Sequence, residues 1–149
     1  MPPPNDMAPQ TRRWLRVAQM GHGLLVAWVV LWHSLISPPI EFSPWFLTIA
    51  WTLPLLLPMK GILKQNPYTF AWANFILLLY FLHSLTLVYV DEGERALAIT
   101  ELCLTSITFI ANTVYSRQRG RELGLKLKKL SQYKQEEQQR FEGYTNHTK

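Results

Sequence analysis

Two long apolar runs separated by a short polar turn dominate this sequence. The first run, residues 68–90, reads YTFAWANFILLLYFLHSLTLVYV, and the second, residues 96–115, reads ALAITELCLTSITFIANTVY. The five residues between them read DEGER. A helix that crosses a bilayer needs about 20 predominantly apolar residues, and Glu101 is the single Asp, Glu, Lys or Arg in the two runs. The pattern predicts a hairpin of two transmembrane helices.

Two further apolar runs, residues 15–37 and 45–63, precede this hairpin and predict two more spans. Pro54 and Pro58 fall inside the second of them, and each removes a backbone donor. We therefore expect a kinked second helix whose freed carbonyls find donors on neighbouring helices, because lipid offers none. The predicted fold class is an all-α integral membrane bundle of four transmembrane helices, placed at residues 15–37, 45–63, 68–90 and 96–115.

The segments outside this membrane domain, residues 14–116, are polar. Residues 1–13 contain four prolines and no hydrophobic period, so they are predicted to be a disordered cytoplasmic tail. Residues 117–149 form a basic tail. Leu123, Leu127 and Leu130 recur there at helical spacing, which predicts that the tail begins as an amphipathic helix on the membrane surface.

The distribution of basic residues predicts the orientation of the bundle. With the N-terminus inside, 14 of the 15 lysine and arginine residues fall on the inner side, and Arg95 alone falls outside. Under the positive-inside rule this bias places both termini in the cytoplasm of a bacterial inner membrane. The tail is expected to bind anionic lipid headgroups, in preference to nucleic acid or a docked protein, through Arg117, Arg119, Arg121, Lys126, Lys128 and Lys129.

The composition and the motif content argue against several kinds of functional site. One cysteine, Cys103, excludes an internal disulfide and a multi-cysteine metal centre, and we expect it to be a buried small hydrophobe. No phosphate-binding loop, nucleophile elbow, zinc-protease motif or dinucleotide fingerprint is present. The sequence therefore predicts no catalytic residue, no metal and no cofactor, and an enzymatic activity would have to lie within the membrane.

Polar residues inside the spans are the candidate site. Glu101, Thr105, Thr108 and Asn112 share one helix face at 100° per residue, so this stripe should face protein and not lipid. His33 and His83 are expected at the same depth as Glu101, in the outer half of the bilayer. The six residues are interpreted as interhelical hydrogen-bonding groups, with a proton relay or a small-ligand site as the alternative.

Residues 53–72, LPLLLPMKGILKQNPYTFAW, carry a second candidate feature. Together with Tyr80-Phe81, Glu94-Arg95-Ala96 and residues 115–123, this stretch resembles a bacterial family of small predicted inner-membrane proteins catalogued as domain of unknown function 2069. Members of the family often have Gly-Arg where this chain has Gln65-Asn66. The resemblance implies a membrane location and supplies no activity. The motif is expected to form a rigid inner-side hairpin with a functional surface on Pro54, Pro58, Lys60, Gly61, Pro67, Tyr68, Thr69 and Trp72.

Three hypotheses for the function follow from the sequence. The leading one is a non-enzymatic accessory or assembly partner of a membrane complex, working with a membrane-protein partner or as a homo-oligomer. The second is a small transporter or proton-coupled component that uses Glu101, His33 and His83. The third is an intramembrane enzyme that acts on lipid or quinone.

Overall fold

A computed structural model describes residues 6–37, 43–124, 134–135 and 137–140. Within these ranges the chain is helical and contains no strand. The first helix ends in one π-helical turn, Trp32–Ile36. The elements are α1 (Pro9–Leu31), α2 (Pro44–Leu56), α3 (Met59–Leu63), α4 (Pro67–Val90) and α5 (Arg95–Glu122).

Proline marks the start of three of these helices. Pro9, Pro44 and Pro67 each lie in the first turn of α1, α2 and α4, where the missing N–H has no helical partner to lose. Asn66 caps α4, because its side-chain oxygen accepts from the Tyr68 N–H at 3.0 Å. Helix α4 therefore begins one residue before the predicted span of residues 68–90.

Contacts at the two ends give the helix directions. The start of α1 meets the end of α5, where Thr11 Oγ1 donates to Glu122 Oε1 at 2.5 Å. Ser37, just after α1, donates to Glu94, which immediately precedes α5. Helix α1 is therefore antiparallel to α5. A short turn joins α4 to α5, so α1 and α4 run in the same direction.

Residues 43–66 return from one end of the bundle to the other. His33 lies against Trp51, with 6.1 Å between the ring centroids, and Gln19 Nε2 donates to the Ile62 carbonyl at 3.0 Å. The residues of α1 that this segment contacts therefore lie progressively nearer the N-terminus of α1 as the chain proceeds from α2 to α3. We call the end near Thr11 the basic end, defined by Arg12, Arg13, Arg16, Lys60, Lys64, Arg117, Arg119 and Arg121, and the end near Glu94 the acidic end.

The interior holds two apolar clusters, one toward each end. The cluster toward the basic end consists of Leu15, Ala18, Ile62, Phe70, Ala111 and Tyr115. The other cluster consists of Leu25, Val29, Leu55, Leu77 and Tyr80. Helix α5 contributes to the first cluster and packs against both α1 and α4, so it lies at the centre of the bundle.

The outer surface of the bundle is apolar. On α4, Phe75 is 75% exposed and Leu82 is 65% exposed, while Tyr80 and Ser84 on the same helix are fully buried. By length and composition, three helical stretches of the described chain can cross a membrane, namely Pro9–Ile36, Pro67–Val90 and Arg95–Glu122. The fourth apolar stretch, Trp45–Leu56, is shorter.

Several predicted boundaries are wrong. Residues 9–13 are helical and not a disordered tail, because Glu122 accepts from the Ala8 N–H and Thr11 and so holds the start of α1. Helix α5 also continues beyond residue 115 to Glu122. The predicted single kinked helix over 45–63 is two helices, because Leu57 and Pro58 form a turn between α2 and α3.

The prediction for Cys103 is also wrong. It lies on the exposed face of α5 and not in the core, because the buried face of this helix is the polar one. Residues 1–5, Leu127, Leu130 and the basic residues Lys126, Lys128 and Lys129 lie outside the described residues.

Candidate functional site

The polar stripe of α5 is fully enclosed by the bundle. Glu101, Thr105, Thr108 and Asn112 are each 0% exposed, which confirms the prediction that this face meets protein. Thr108 packs against Gly21 of α1, where an added Cβ would lie 2.5 Å from Thr108 Oγ1. The glycine therefore lets α1 and α5 approach closely over the middle of the stripe.

Glu101 is hydrogen-bonded to His83 of α4. The His83 Nδ1 lies 3.0 Å from Oε2 and 3.2 Å from Oε1 of Glu101. The Glu101 side chain is 0% exposed and that of His83 is 13% exposed. Placing an ionisable side chain in a membrane interior costs free energy unless the group has a polar partner. The contact between Glu101 and His83 therefore explains how both side chains are tolerated there. The imidazole is the more accessible half of the pair.

Aromatic rings surround this hydrogen-bonded pair. The Trp51 ring lies 4.2 Å from the His83 ring between centroids, and the Trp32 ring lies 5.4 Å from it. His33 lies 5.7 Å from His83. Its Nδ1, however, lies 3.0 Å from the Val29 carbonyl and not from Glu101. The predicted grouping of the two histidines with Glu101 therefore occurs, with His33 in ring contact and His83 in the hydrogen bond.

The π-helical turn positions two of these rings. The Ser37 N–H donates to the Trp32 carbonyl at 2.9 Å, five residues back, so this turn is wider than an α-helical one. Trp32 and His33 are consecutive and both are buried. The wide turn brings both bulky side chains to the inner face of the bundle.

The lower part of the stripe belongs to a separate network. Asn112 Nδ2 donates to Asn74 Oδ1 at 3.0 Å, and Asn74 Nδ2 donates to Thr113 Oγ1 at 2.8 Å. Thr108 donates to its own helix, at the Leu104 carbonyl. The six predicted site residues thus do not form one cluster. His33, His83 and Glu101 are together, while Asn112 joins a network between α4 and α5.

Side chains of neighbouring helices hold the return segment through its backbone carbonyls. The donors lie on α1, α4 and α5, and the acceptors lie between residues 51 and 65. The contacts are Gln19 to Ile62, His22 to Leu55, Tyr80 to Trp51 and Tyr115 to Gln65. The four acceptors are spread from α2 to the turn after α3, so the hydrogen bonds tie the whole return segment to the bundle. The carbonyls that Pro54 and Pro58 deprive of a helical donor are those of Ala50 and Pro54, four residues earlier, and neither is among the acceptors, so the prediction about these carbonyls stays a prediction.

The hairpin of α3 and α4 is tightly closed. A Cβ on Gly61 would overlap the Thr69 side chain, so the glycine is required for this approach. Gln65 has φ of 58°, the left-handed conformation, and the N–H groups of Gln65 and Asn66 close the end of α3 on Ile62 and Gly61. A glycine at residue 65, as in the resembling family, would adopt this conformation without strain.

The remaining signature residues do not form one buried site. Pro58 and Thr69 are buried, Pro54, Gly61, Pro67 and Trp72 are partly buried, and Lys60 and Tyr68 are exposed. The hairpin is thus a structural closure, and its proposed functional surface stays a prediction. At the basic end, Arg119 pairs with Glu122 at 3.0 Å, while Arg117 and Arg121 are exposed.

Sequence reasoning missed the partners of the predicted groups. Asn74 was not predicted to meet Asn112, nor Tyr80 to meet Trp51, and Thr11 was placed in a disordered segment although it binds Glu122. One signal was available for Asn74, since an amide within an apolar run needs a partner in lipid. Among the described residues, no group of three or more His, Cys, Asp or Glu side chains could hold a metal ion.

These features define a multi-pass helical membrane protein. The long helices expose leucine and phenylalanine and bury carboxylate, imidazole and amide groups, the reverse of a helix that packs in water.

A comparison with protein families agrees with this class. The family described as "Predicted membrane protein (DUF2069)" matches residues 17–120, and the chain belongs to this family. No curated protein and no solved structure matches the chain.

Proposed function

We propose that the chain crosses the inner membrane of a bacterium four times, with both termini in the cytoplasm. Support comes from the parallel directions of α1 and α4, since the segment that joins them has to travel back through the same thickness. Helix α2 alone measures about 20 Å at 1.5 Å per residue, and α3 adds about 7 Å. The basic end then lies at the cytoplasmic face, in accord with the positive-inside rule.

Cysteine accessibility tests this topology. In a Cys103→Ser background, Glu92→Cys and Lys64→Cys place one thiol at each end of the bundle. A membrane-impermeant maleimide should label Glu92→Cys in intact spheroplasts, and Lys64→Cys only after permeabilisation. Labelling of Lys64→Cys in intact spheroplasts would overturn the four-crossing arrangement.

Within the membrane, we propose that the protein acts as a non-enzymatic partner in a larger membrane complex. One observation supports this proposal: polar side chains of the helices form hydrogen bonds with one another and with the return segment inside the bundle. Glu101 binds His83, Asn112 binds Asn74, and His22 binds the return segment at Leu55. These groups hold the bundle together, so its outer surface and its two ends are left to meet other molecules.

Co-purification of the full chain in mild detergent tests this role. A terminally tagged protein, cross-linked in the membrane before solubilisation, should carry one membrane protein in constant ratio across several detergents. The same cross-linked band should disappear when the untagged chain is expressed in excess as a competitor. An uncross-linked monomer in every detergent and in lipid nanodiscs would reject the proposal.

A second function, proton coupling, is favoured by one specific observation. The His83–Glu101 pair is a carboxylate and an imidazole at 3.0 Å within an apolar shell, with the imidazole reaching toward the surface. Such a pair can accept and release a proton within the membrane. Proton uptake into liposomes containing a pH-sensitive dye should then require Glu101. Glu101→Gln should abolish the flux, while Glu94→Gln at the acidic end should retain it. Equal flux in protein-containing and empty liposomes would end this hypothesis.

A further inference from the structure

A cleft at the basic end lies between the start of α1, the turn after α3 and the end of α5. It encloses about 360 Å³. Its lining consists of Met7, Arg12, Leu15, Arg16, Gln19, Gln65 and Arg119. Three arginines and two glutamines therefore line it, and no carboxylate is among the described residues that do so.

The charges of this cleft are only partly compensated. Arg119 is paired with Glu122. Arg12 and Arg16 have no ion-pair partner among the described residues, and they stand one helical turn apart on α1. Two like charges at this spacing destabilise a helix. An anion placed between them would remove the repulsion and accept hydrogen bonds from both.

The chemistry of the lining selects the kind of anion. Guanidinium groups bind phosphate oxygens in pairs of parallel hydrogen bonds. Gln19 is held in place, because its Nε2 donates to the Ile62 carbonyl at 3.0 Å. Leu15 is 4% exposed between the two arginines and gives the cleft an apolar floor. Phosphate at the polar edge and hydrocarbon at the floor are the two parts of a phospholipid.

We propose that this cleft binds the phosphate headgroup of an anionic phospholipid from the cytoplasmic leaflet. The proposal rests on the proposed topology, which puts the basic end at headgroup level, and is independent of the partner role. Basic pockets between transmembrane helices on this side are recurrent sites for anionic headgroups. A second cleft of about 320 Å³ adjoins the first and shares Met7, Arg12 and Arg16, with Arg13 at its edge. The lipid site therefore extends along the first turns of α1.

Lipid titration of the full chain in detergent, read by native mass spectrometry, tests the site. The cleft variant, Arg12→Gln with Arg16→Gln, is compared with a control variant, Lys64→Gln with Lys134→Gln. The control changes the net charge equally, but its two residues are exposed, line neither cleft and are not among the tail residues expected to bind lipid. Phosphatidylglycerol should bind the cleft variant at least tenfold more weakly than it binds the control variant. Phosphatidylcholine should show no difference. Equal losses in the two variants would mean general surface attraction and would overturn the proposal.

A charge-preserving variant separates a shaped site from net charge. Arg12→Lys with Arg16→Lys keeps the charge of the wild-type chain and loses the paired hydrogen bonds. It should bind phosphatidylglycerol at least threefold more weakly than wild type, and unchanged binding would contradict the proposal. Inorganic phosphate supplies the last arm. Two measurements compare phosphate with the lipid: displacement of bound lipid, and protection of Arg12 and Arg16 from arginine-specific modification. If inorganic phosphate at millimolar concentration displaces the lipid and protects both arginines as well as the lipid does, the site binds free phosphate. The assignment to a lipid then fails. Maleimide labelling of Glu92→Cys and Lys64→Cys separates this failure from a wrong topology.

Discussion

Adding one methyl group at residue 21 should weaken the bundle, and adding the same group two residues later should not. A Cβ on Gly21 would lie 2.5 Å from Thr108 Oγ1 and 3.3 Å from Thr108 Cβ, whereas a Cβ on Gly23 meets nothing within 4 Å. Both Gly→Ala changes carry the same gain in helix propensity, about 1 kcal/mol. Overpacking in a filled interior costs about 1–3 kcal/mol.

The difference between the two variants isolates the steric effect. Gly23→Ala should raise the free energy of unfolding by about 1 kcal/mol, the gain in helix propensity. Gly21→Ala should be less stable than Gly23→Ala by about 1–3 kcal/mol, because α1 and α5 are forced apart. Reversible unfolding by sodium dodecyl sulfate in mixed micelles, followed by tryptophan fluorescence, measures both values.

A third variant identifies the atom responsible. Thr108→Ala removes Oγ1. The atom nearest to a Cβ on residue 21 is then the Cβ of residue 108, at 3.3 Å, a separation that a small shift relieves. Thr108→Ala should therefore rescue most of the loss caused by Gly21→Ala. The hydrogen bond from Thr108 to Leu104 is internal to α5, so its loss cancels in the double-mutant cycle. Equal stabilities of Gly21→Ala and Gly23→Ala, or no coupling with Thr108, would refute the close approach of α1 and α5.

The same unfolding assay checks three further predictions. Gln65→Gly should raise the free energy of unfolding by roughly 1 kcal/mol, since φ of 58° is strained for a residue with a Cβ, and Gln65→Ala should give no gain. Tyr115→Phe should lower it by about 0.6 kcal/mol through loss of the hydrogen bond to the Gln65 carbonyl. Tyr68→Phe, at an exposed tyrosine, is the control, and equal effects of the two changes would contradict a contribution of this hydrogen bond to stability. Leu77→Ala should lower it by about 2 kcal/mol, the low end for such changes. The cost is at the low end because a leucine side chain gains little free energy on moving from lipid into the protein interior, so the cavity supplies most of the loss. Leu78→Ala, half exposed, should have little effect.

The stripe on α5 shows how far a sequence can lead in a membrane protein. Glu101, Thr105, Thr108 and Asn112 recur at helical spacing within an apolar run, and their burial follows from the cost of a polar group in lipid. The length of the apolar runs and the concentration of basic residues at one end are likewise visible in the residues themselves. Each of these properties depends on one helix and its solvent, so local pattern is sufficient.

Partner identity depended on the packing of the bundle. Glu101 needs a partner in lipid, but His83 is its partner because the turn before α5 sets the register of two antiparallel helices. The single helix predicted across residues 45–63 became two, because Leu57 and Pro58 form a turn between α2 and α3. Side chains on three other helices donate to carbonyls of this segment and hold it against the bundle. Thr11 belongs to a helix because Glu122, more than a hundred residues away, holds it there.

The sequence alone determined that the chain is a helical membrane protein, that the polar face of α5 points inward and which end is basic, since these follow from solvation of single segments. Only the tertiary structure decided which polar groups meet, where α1 and α5 come close and that Arg12, Arg16 and Arg119 share one cleft. Those outcomes depend on relative translation and rotation of helices, which packing across the whole bundle controls.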